Sequence, residues 1–392
     1  MKIGIIDAEI IGKKKHRFPN LACMKISAYH KSIGNSVELL FDYANVADYD
    51  KVYVSKVFTD TEIPCEPKDK SNKNADSIIE WYKDNEFLLQ PNIEYGGTGF
   101  YYNEAPPLPD KIEHIMPDYR LYDKWVEMCL ANGASKKSLQ YYTDFSIGFA
   151  TRGCFRKCTF CVNQNCDKSV KQGSISEWVD ESRPYICCLD DNVFACARWR
   201  EVFAELQATG KRFQFKQGCD ERLLTDEKCE ELFKKSKWIG DYIFAFDKYS
   251  DKDIIVEKLK LLRKHTNKKC KFYCFCGFNH KADIYNDEFW VVDLYELFQR
   301  IEILMKYGCL PYIMRHENYE KSPFRGMYIT IARWCNQPNF YKKQSLREFC
   351  DITNGIDSSS HRYLTEFEKL CPWFSKFFDM KFEEVRQFTG GV

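Results

Sequence analysis

No apolar stretch in the 392 residues approaches the roughly 20 that a bilayer-spanning helix requires. The N-terminus runs from MKIGIID into charged sequence without the apolar core of a secretion signal. Neither sign of charge prevails: 58 basic residues against 57 acidic ones leave a formal charge of +1. That balance excludes a global electrostatic footprint for nucleic acid or an anionic membrane. The densest basic run, KKKHR at 13–17, is short enough to be a solvated loop. Internal repeats and low-complexity tracts are missing as well. What is left is an ordinary globular composition, 44% hydrophobic and 29% charged, long enough for two or three lobes.

Cysteine is the exception, with 19 in the chain. Without a secretion signal the expected location is the cytoplasm, where thiols stay reduced. Clustered cysteines there point to metal or redox chemistry rather than to disulfides.

Apolar patterning divides the chain. KIGIID at 2–7, SVELLFD at 36–42 and KVYVSKVF at 51–58 read as strands, and 21–34 as a helix with a glycine stop. This alternation predicts a small doubly wound, Rossmann-like lobe over 1–115, ending near the proline-rich APPLPD. A connecting segment follows over 116–142. Six further strands are predicted at 145–151, 185–190, 213–218, 242–247, 271–278 and 311–315, with helices at 197–207, 226–235, 251–264 and 292–306. Six βα units are too few for a closed eightfold barrel. The expected fold is α/β, with a partial (βα)6 TIM-like barrel over 143–330 and active residues at the C-terminal ends of its strands. A mostly helical extension is expected over 331–392.

Directly after the first barrel strand comes ATRGCFRKCTFCVNQ, which places Cys154, Cys158 and Cys161 in a CxxxCxxC spacing. Three thiolates on one loop suit three irons of a cubane and leave the fourth iron open. The alternative is a zinc knuckle, although zinc normally takes four closed ligands.

With the aromatic Phe160 just before the third cysteine and six strand–helix units around it, the segment 143–316 resembles the radical S-adenosylmethionine superfamily. The resemblance implies a 4Fe-4S cluster on Cys154, Cys158 and Cys161, its open iron chelated by the amino and carboxylate groups of S-adenosylmethionine. It implies one-electron cleavage to a 5′-deoxyadenosyl radical, fed by an external donor such as flavodoxin or ferredoxin. Phe160 would contact the adenine mainly through its backbone, while Cys166 lies outside the motif. Where many members carry GGE to receive the amino group, this chain has Asp190, Asp191 and Asn192, whose acceptor oxygens suit an ammonium.

Gln217, Asp220 and Arg222, in KQGCDERLLT, end the third strand and are candidates for the cofactor carboxylate or the substrate. The competing expectation is that Asp220 and Arg222 pair with each other at the rim. Asp247, ending the fourth strand, is a candidate for the ribose hydroxyls. Arg315 and His316 end the sixth strand and are expected to face the cavity. Arg325, Arg333 and Trp334 follow as candidates for an anionic or planar substrate group, against ordinary packing.

The first lobe resembles the cobalamin-binding-type domain of one large subgroup of that superfamily. Such domains often carry DxHxxG after their first strand. The stretch here is DAEIIG, with Asp7 and Gly12 in place and Glu9 where the histidine would be. A carboxylate substitutes poorly for imidazole at cobalt. Cobalamin without a protein ligand, approached by GGTG at 96–99, is one reading; a lobe that has lost the cofactor and serves substrate or docking is the preferred one. Cys274, Cys276, Cys309, Cys335, Cys350 and Cys371 lack the tight spacing of the triplet and are expected to be buried thiols rather than a second cluster.

The leading expectation is therefore a radical S-adenosylmethionine enzyme acting on an unactivated carbon of a peptide, metabolite or nucleotide. The alternatives are a cobalamin-dependent methyltransferase, a methylthiotransferase-like enzyme, or a zinc-binding scaffold protein.

Overall fold

The computed structural model describes residues 1–13, 18–63, 87–281 and 283–388; most of the basic run, at 14–17, lies outside them. The chain forms two compact units. One comprises Met1–Ala150, Cys154–Asp167 and Lys171–Leu189; the other comprises Thr151–Gly153, Lys168–Val170 and Asp190–Val392.

In the first unit β1 (Lys2–Asp7) is the inner strand of a parallel sheet. Helix α1 (Leu21–Ser32) is started by Asn20, whose side chain accepts the Cys23 N–H at 3.2 Å. It leads into β2 (Ser36–Leu40) on one side of β1, and β3 (Lys51–Ser55) pairs on the other. A fourth parallel strand, β4 (Ile93–Gly96), extends β3. The glycine-rich sequence does not advertise it. Because β1 is covered on both faces, its interior residues Ile3, Gly4, Ile5 and Ile6 are all apolar and buried. Ile3 and Ile5 join a core with Leu21, Met24, Tyr122 and Trp125, whereas Ile6 joins Val52, Val54, Phe87 and Phe100.

Helix α2 (Asp123–Ala131) belongs to the first core through Trp125 and Val126. Beyond it β5 (Phe145–Gly148) pairs in parallel with β6 (Tyr185–Cys188). The buried Arg183 guanidinium clasps this region, donating to the carbonyls of Tyr119, Tyr142 and Phe145 at 2.9–3.0 Å. The indole of Trp178 packs against Gly148, where any side chain would collide: a Cβ would sit 2.2 Å from the ring.

The second unit continues with α3 (Trp199–Ala208) and β7 (Arg212–Phe215). Strands β8 (Tyr242–Ala245), β9 (Cys270–Cys276) and β10 (Leu310–Arg315) form a three-stranded parallel sheet. Between β8 and β9 runs α4 (Lys252–His265), burying Ile255, Leu259 and Leu262, the spacing of an amphipathic helix. Between β9 and β10 runs α5 (Asp287–Lys306). It starts earlier than its apolar pattern suggests because Asn286 caps it, accepting the Phe289 N–H at 2.9 Å. Helices α6 (Arg325–Cys335) and α7 (Ser359–Leu370) touch where Gly326 meets the ring of Tyr363. Phe298 of α5 stacks on Phe377 from the C-terminal segment, centroids 5.4 Å apart.

The protein is thus a mixed α/β chain with parallel strand pairing and many helices. No helix among the described residues is long and apolar enough to cross a membrane.

Candidate functional site

The segment carrying the cysteine triplet is built from turns. Gly153 and Lys157 both take positive φ, 90° and 48°, which lets the chain reverse around Cys154. The Cys161 N–H donates to the Cys158 carbonyl at 2.9 Å, and the Cys161 thiol accepts the Asn163 N–H at 3.4 Å. Gln164 Nε2 donates to the Thr159 carbonyl and Lys157 pairs with Asp167, both at 2.6 Å. Two neighbouring residues of the first unit reach the loop: Tyr102 donates its phenol proton to the Phe160 carbonyl at 3.0 Å, and the Asn103 carbonyl accepts from Asn165 Nδ2 at 3.3 Å.

All the described cysteines are free thiols, and 13 of them are buried. Cys154, Cys158, Cys161, Cys166 and Cys129 are half-buried. Burial pushes the thiol of Cys274 up to about 12 and those of Cys276 and Cys335 well above the ordinary value. Such thiols are inert packing. Among the described residues no three His, Cys, Asp or Glu side chains converge closely enough to hold a metal ion, so the triplet shares a loop without its thiols meeting at one point. Three accessible soft donors on one loop, one already accepting a backbone N–H, nevertheless fit the ligand chemistry of an iron–sulfur cluster.

The second unit gathers several of the expected cofactor residues. Asp190 is fully buried and accepts both the N–H and the hydroxyl of Thr151, at 2.6 and 2.7 Å. Asp191 accepts the Gly153 N–H at 2.8 Å. These carboxylates hold the backbone that enters Cys154. Asn192 Nδ2 donates to Asp220 at 3.3 Å. Asp220 takes the Arg222 guanidinium at 2.8 Å, and Arg222 reaches Asp251 at 2.8 Å with its other arm. The two residues do pair. Burial works against the Arg222 charge, but Asp220, Glu221 and Asp251 outweigh it and hold its pKa above the ordinary value.

Glu221, between the pair, was not singled out by the sequence. It is buried, accepts the Ala245 N–H at 3.0 Å, and is pushed up to about 8 by burial, with Asp220 adding to the effect. Its only signal was its position inside CDERL. Arg300 is the other omission. From α5 it donates through one nitrogen to the carbonyls of Phe246, Asp247 and Phe275, each at 2.9 Å. Asp247, whose carboxylate accepts the Phe275 N–H at 3.1 Å, is pushed up to about 6 by burial, with Arg300 offsetting part.

The remaining candidates are spread. Gln217 is exposed in the turn after β7. Arg315 lies over the Tyr319 ring at 4.5 Å, and His316 packs against Phe278 with centroids 4.8 Å apart. Arg325 and Arg333 are exposed on α6, where Arg333 reaches Asn354 at 3.3 Å. Trp334 is fully buried and donates its indole proton to the Gln344 carbonyl, so it is a core residue.

In the first unit Asp7 is buried, accepting from Tyr122 at 2.6 Å and from the Glu9 N–H at 3.1 Å. Burial pushes it up to about 8. Glu9 is equally buried, one carboxylate oxygen accepting the N–H groups of Val57 and Phe58 at 2.9 and 3.1 Å. It caps the end of β3. Of the GGTG glycines, Gly97 and Gly99 lie against Lys56, where a Cβ would fall 2.2 Å from a backbone oxygen and 2.4 Å from the side chain. Their close approach is to this protein's own chain.

No known protein family matches the sequence, and no curated protein is similar to it. Among solved structures the chain is similar to a cobalamin-dependent S-adenosylmethionine radical enzyme, OxsB. To its apo, selenomethionine-labelled structure the identity is 11% and the TM-score 0.35. To its structure with aqua-cobalamin and S-adenosylmethionine bound they are 10% and 0.33. The likeness covers 99% of this chain and 58% of OxsB, so the chain spans little more than half of that enzyme's length.

Proposed function

We propose that this protein is a radical S-adenosylmethionine enzyme, with Cys154, Cys158 and Cys161 as the protein ligands of a 4Fe-4S cluster. The supporting observation is the division of thiols: the triplet is half-buried on a turn-rich loop, whereas most other cysteines are sealed in the core. Bound there, the cluster with S-adenosylmethionine supplies one-electron cleavage of the cofactor and a 5′-deoxyadenosyl radical.

The chain's own part is placement. Asp190 and Asp191 hold the backbone entering the triplet. Phe160 offers its backbone to the adenine, and Asn192, Gln217 and the Asp220–Arg222 pair serve the cofactor's polar groups. Asp247 serves the ribose, and Arg315, His316, Arg325 and Arg333 contribute to substrate recognition. In this reading the segment 143–330 is a partial (βα)6 barrel, preceded by the lobe at 1–115 and a connector at 116–142, and followed by the extension at 331–392. The electron comes from a flavodoxin or ferredoxin.

A protein-ligated cobalamin is disfavoured, because the side chain at the histidine position is the buried carboxylate of Glu9, tied through one oxygen to the N–H groups of Val57 and Phe58. Purification under anaerobic conditions tests the reading. About four irons per chain after reconstitution, with 5′-deoxyadenosine released on reduction, supports it. Stoichiometric zinc and an intact cofactor would sink it in favour of a scaffold.

A further inference from the structure

We propose that Tyr102 is a positioning residue for the cysteine loop, an inference that rests on the enzyme reading above. Its phenol donates to the Phe160 carbonyl at 3.0 Å. That carbonyl shares a planar peptide unit with the Cys161 N–H, and the same N–H donates to the Cys158 carbonyl. Fixing one end of the peptide therefore fixes the direction in which Cys161 leaves the backbone. One residue beyond Tyr102, the Asn103 carbonyl takes a second bond from Asn165, so the tethers flank Cys161 on both sides.

The backbone shows that this placement is imposed. Among the described residues only Asn45, Tyr102 and Lys157 have positive φ without being glycine. Two of the three belong to this loop and its brace. Tyr102 sits at φ 49°, ψ −117°, a conformation a bulky side chain avoids. Strain of this kind persists only where the surroundings over-determine it. The preceding turn supplies that constraint. The Gly99 N–H donates to the Lys56 carbonyl at 2.9 Å, Thr98 donates its hydroxyl to the Val57 carbonyl at 2.7 Å, and the rings of Tyr95 and Tyr101 stack within 4° of parallel. The glycine-rich GGTG segment is thus the base of an arm that ends on the triplet. This gives the first lobe a task in the chemistry that needs no cofactor of its own.

The test compares wild type, Tyr102→Phe and Asn165→Ala, full length. In metal-free protein, hydrogen exchange of a peptide spanning residues 158–165 is expected to quicken several-fold in Tyr102→Phe, with circular dichroism unchanged. In reconstituted protein the same variant is expected to keep its iron and to bind S-adenosylmethionine about 3- to 10-fold more weakly, the loss of one hydrogen bond. The shift that the cofactor induces in the electron paramagnetic resonance of the reduced cluster should then require correspondingly more cofactor. Should Tyr102→Phe fail to fold, Asn165→Ala, at an exposed position, carries the same expectations. Exchange identical to wild type in the tether variants overturns the proposal whether or not iron is bound. Iron missing from the wild type, with exchange altered in the variants, overturns the enzyme reading and leaves the brace standing.

Discussion

One oxygen of Glu221 accepts the backbone N–H of Ala245 at 3.0 Å, so the segment after β7 closes onto the last residue of β8. The second oxygen is buried and, among the described residues, has no hydrogen-bond partner. Burial pushes this carboxyl up to about 8, and Arg222, 3.8 Å from the second oxygen, offsets only part.

This buried acid makes stability depend on pH in an unusual direction. The unfolded chain loses the proton near the ordinary glutamate value of about 4.3, whereas the folded chain keeps it to about 8. Between those values the folded state binds more protons, so rising pH destabilises it. Glu221→Gln keeps the acceptor for Ala245 and removes the titration. Its stability relative to wild type is expected to improve by roughly 1–3 kcal/mol from pH 5 to pH 8. Urea unfolding at the two pH values measures this; an advantage that does not grow with pH contradicts it.

Arg300 joins the ends of two strands through three carbonyls. Lysine keeps the charge, but its ammonium ends one bond short of the Nη1 position that makes all three contacts, and it lacks the Nε–H that donates to the Glu296 carbonyl. Arg300→Lys is expected to lose about 2–4 kcal/mol of unfolding free energy, read from denaturant midpoints at constant slope. A loss under about 0.5 kcal/mol would show that the three bonds do not hold the strand ends.

Gly148 closes β5 beneath Trp178, and a methyl there would lie 2.2 Å from the indole. Gly148→Ala is expected to destabilise by at least about 1–3 kcal/mol and to change the near-ultraviolet dichroism of the displaced tryptophan. Gly34→Ala, where nothing lies within 4 Å, separates backbone strain from collision: φ of 80° gives it a smaller cost, about 1 kcal/mol.

The two kinds of cysteine should respond in opposite ways. Cys158→Ala is expected to abolish iron binding with little change in thermal stability. Cys276→Ala, in the buried face of β9, should keep full iron and lower stability by about 1–2 kcal/mol. Iron retained by Cys158→Ala would remove it from the ligand set.

Local patterning made the frame legible. Strand β1 occupies the six residues its apolar run marks out, and the strands at 185, 242, 271 and 311 begin within a residue or so of their patterns. Strand β4 was hidden because it is only four residues long, IEYG, and runs straight into a glycine pair, too short for a period-2 pattern to stand out. The candidate site was legible where chemistry is local, in the cysteine spacing and in Asp220 beside Arg222. It was not legible where one side chain serves distant backbone. Glu9 looked like a missing histidine, yet it caps residues 48 and 49 positions away. Arg300 and Tyr102 act across similar separations, and no periodicity records such pairings.

The partition of the thiols turns the protein into its own folding gauge. With 13 described cysteines sealed and five half-open, a maleimide pulse should add few labels to the native chain and many to the denatured one. Each molecule would then report by mass alone which state it occupied when the reagent met it. Oxygen damage to the purified protein should begin on the same short list, at the turn around residue 158, well before the packed interior is touched.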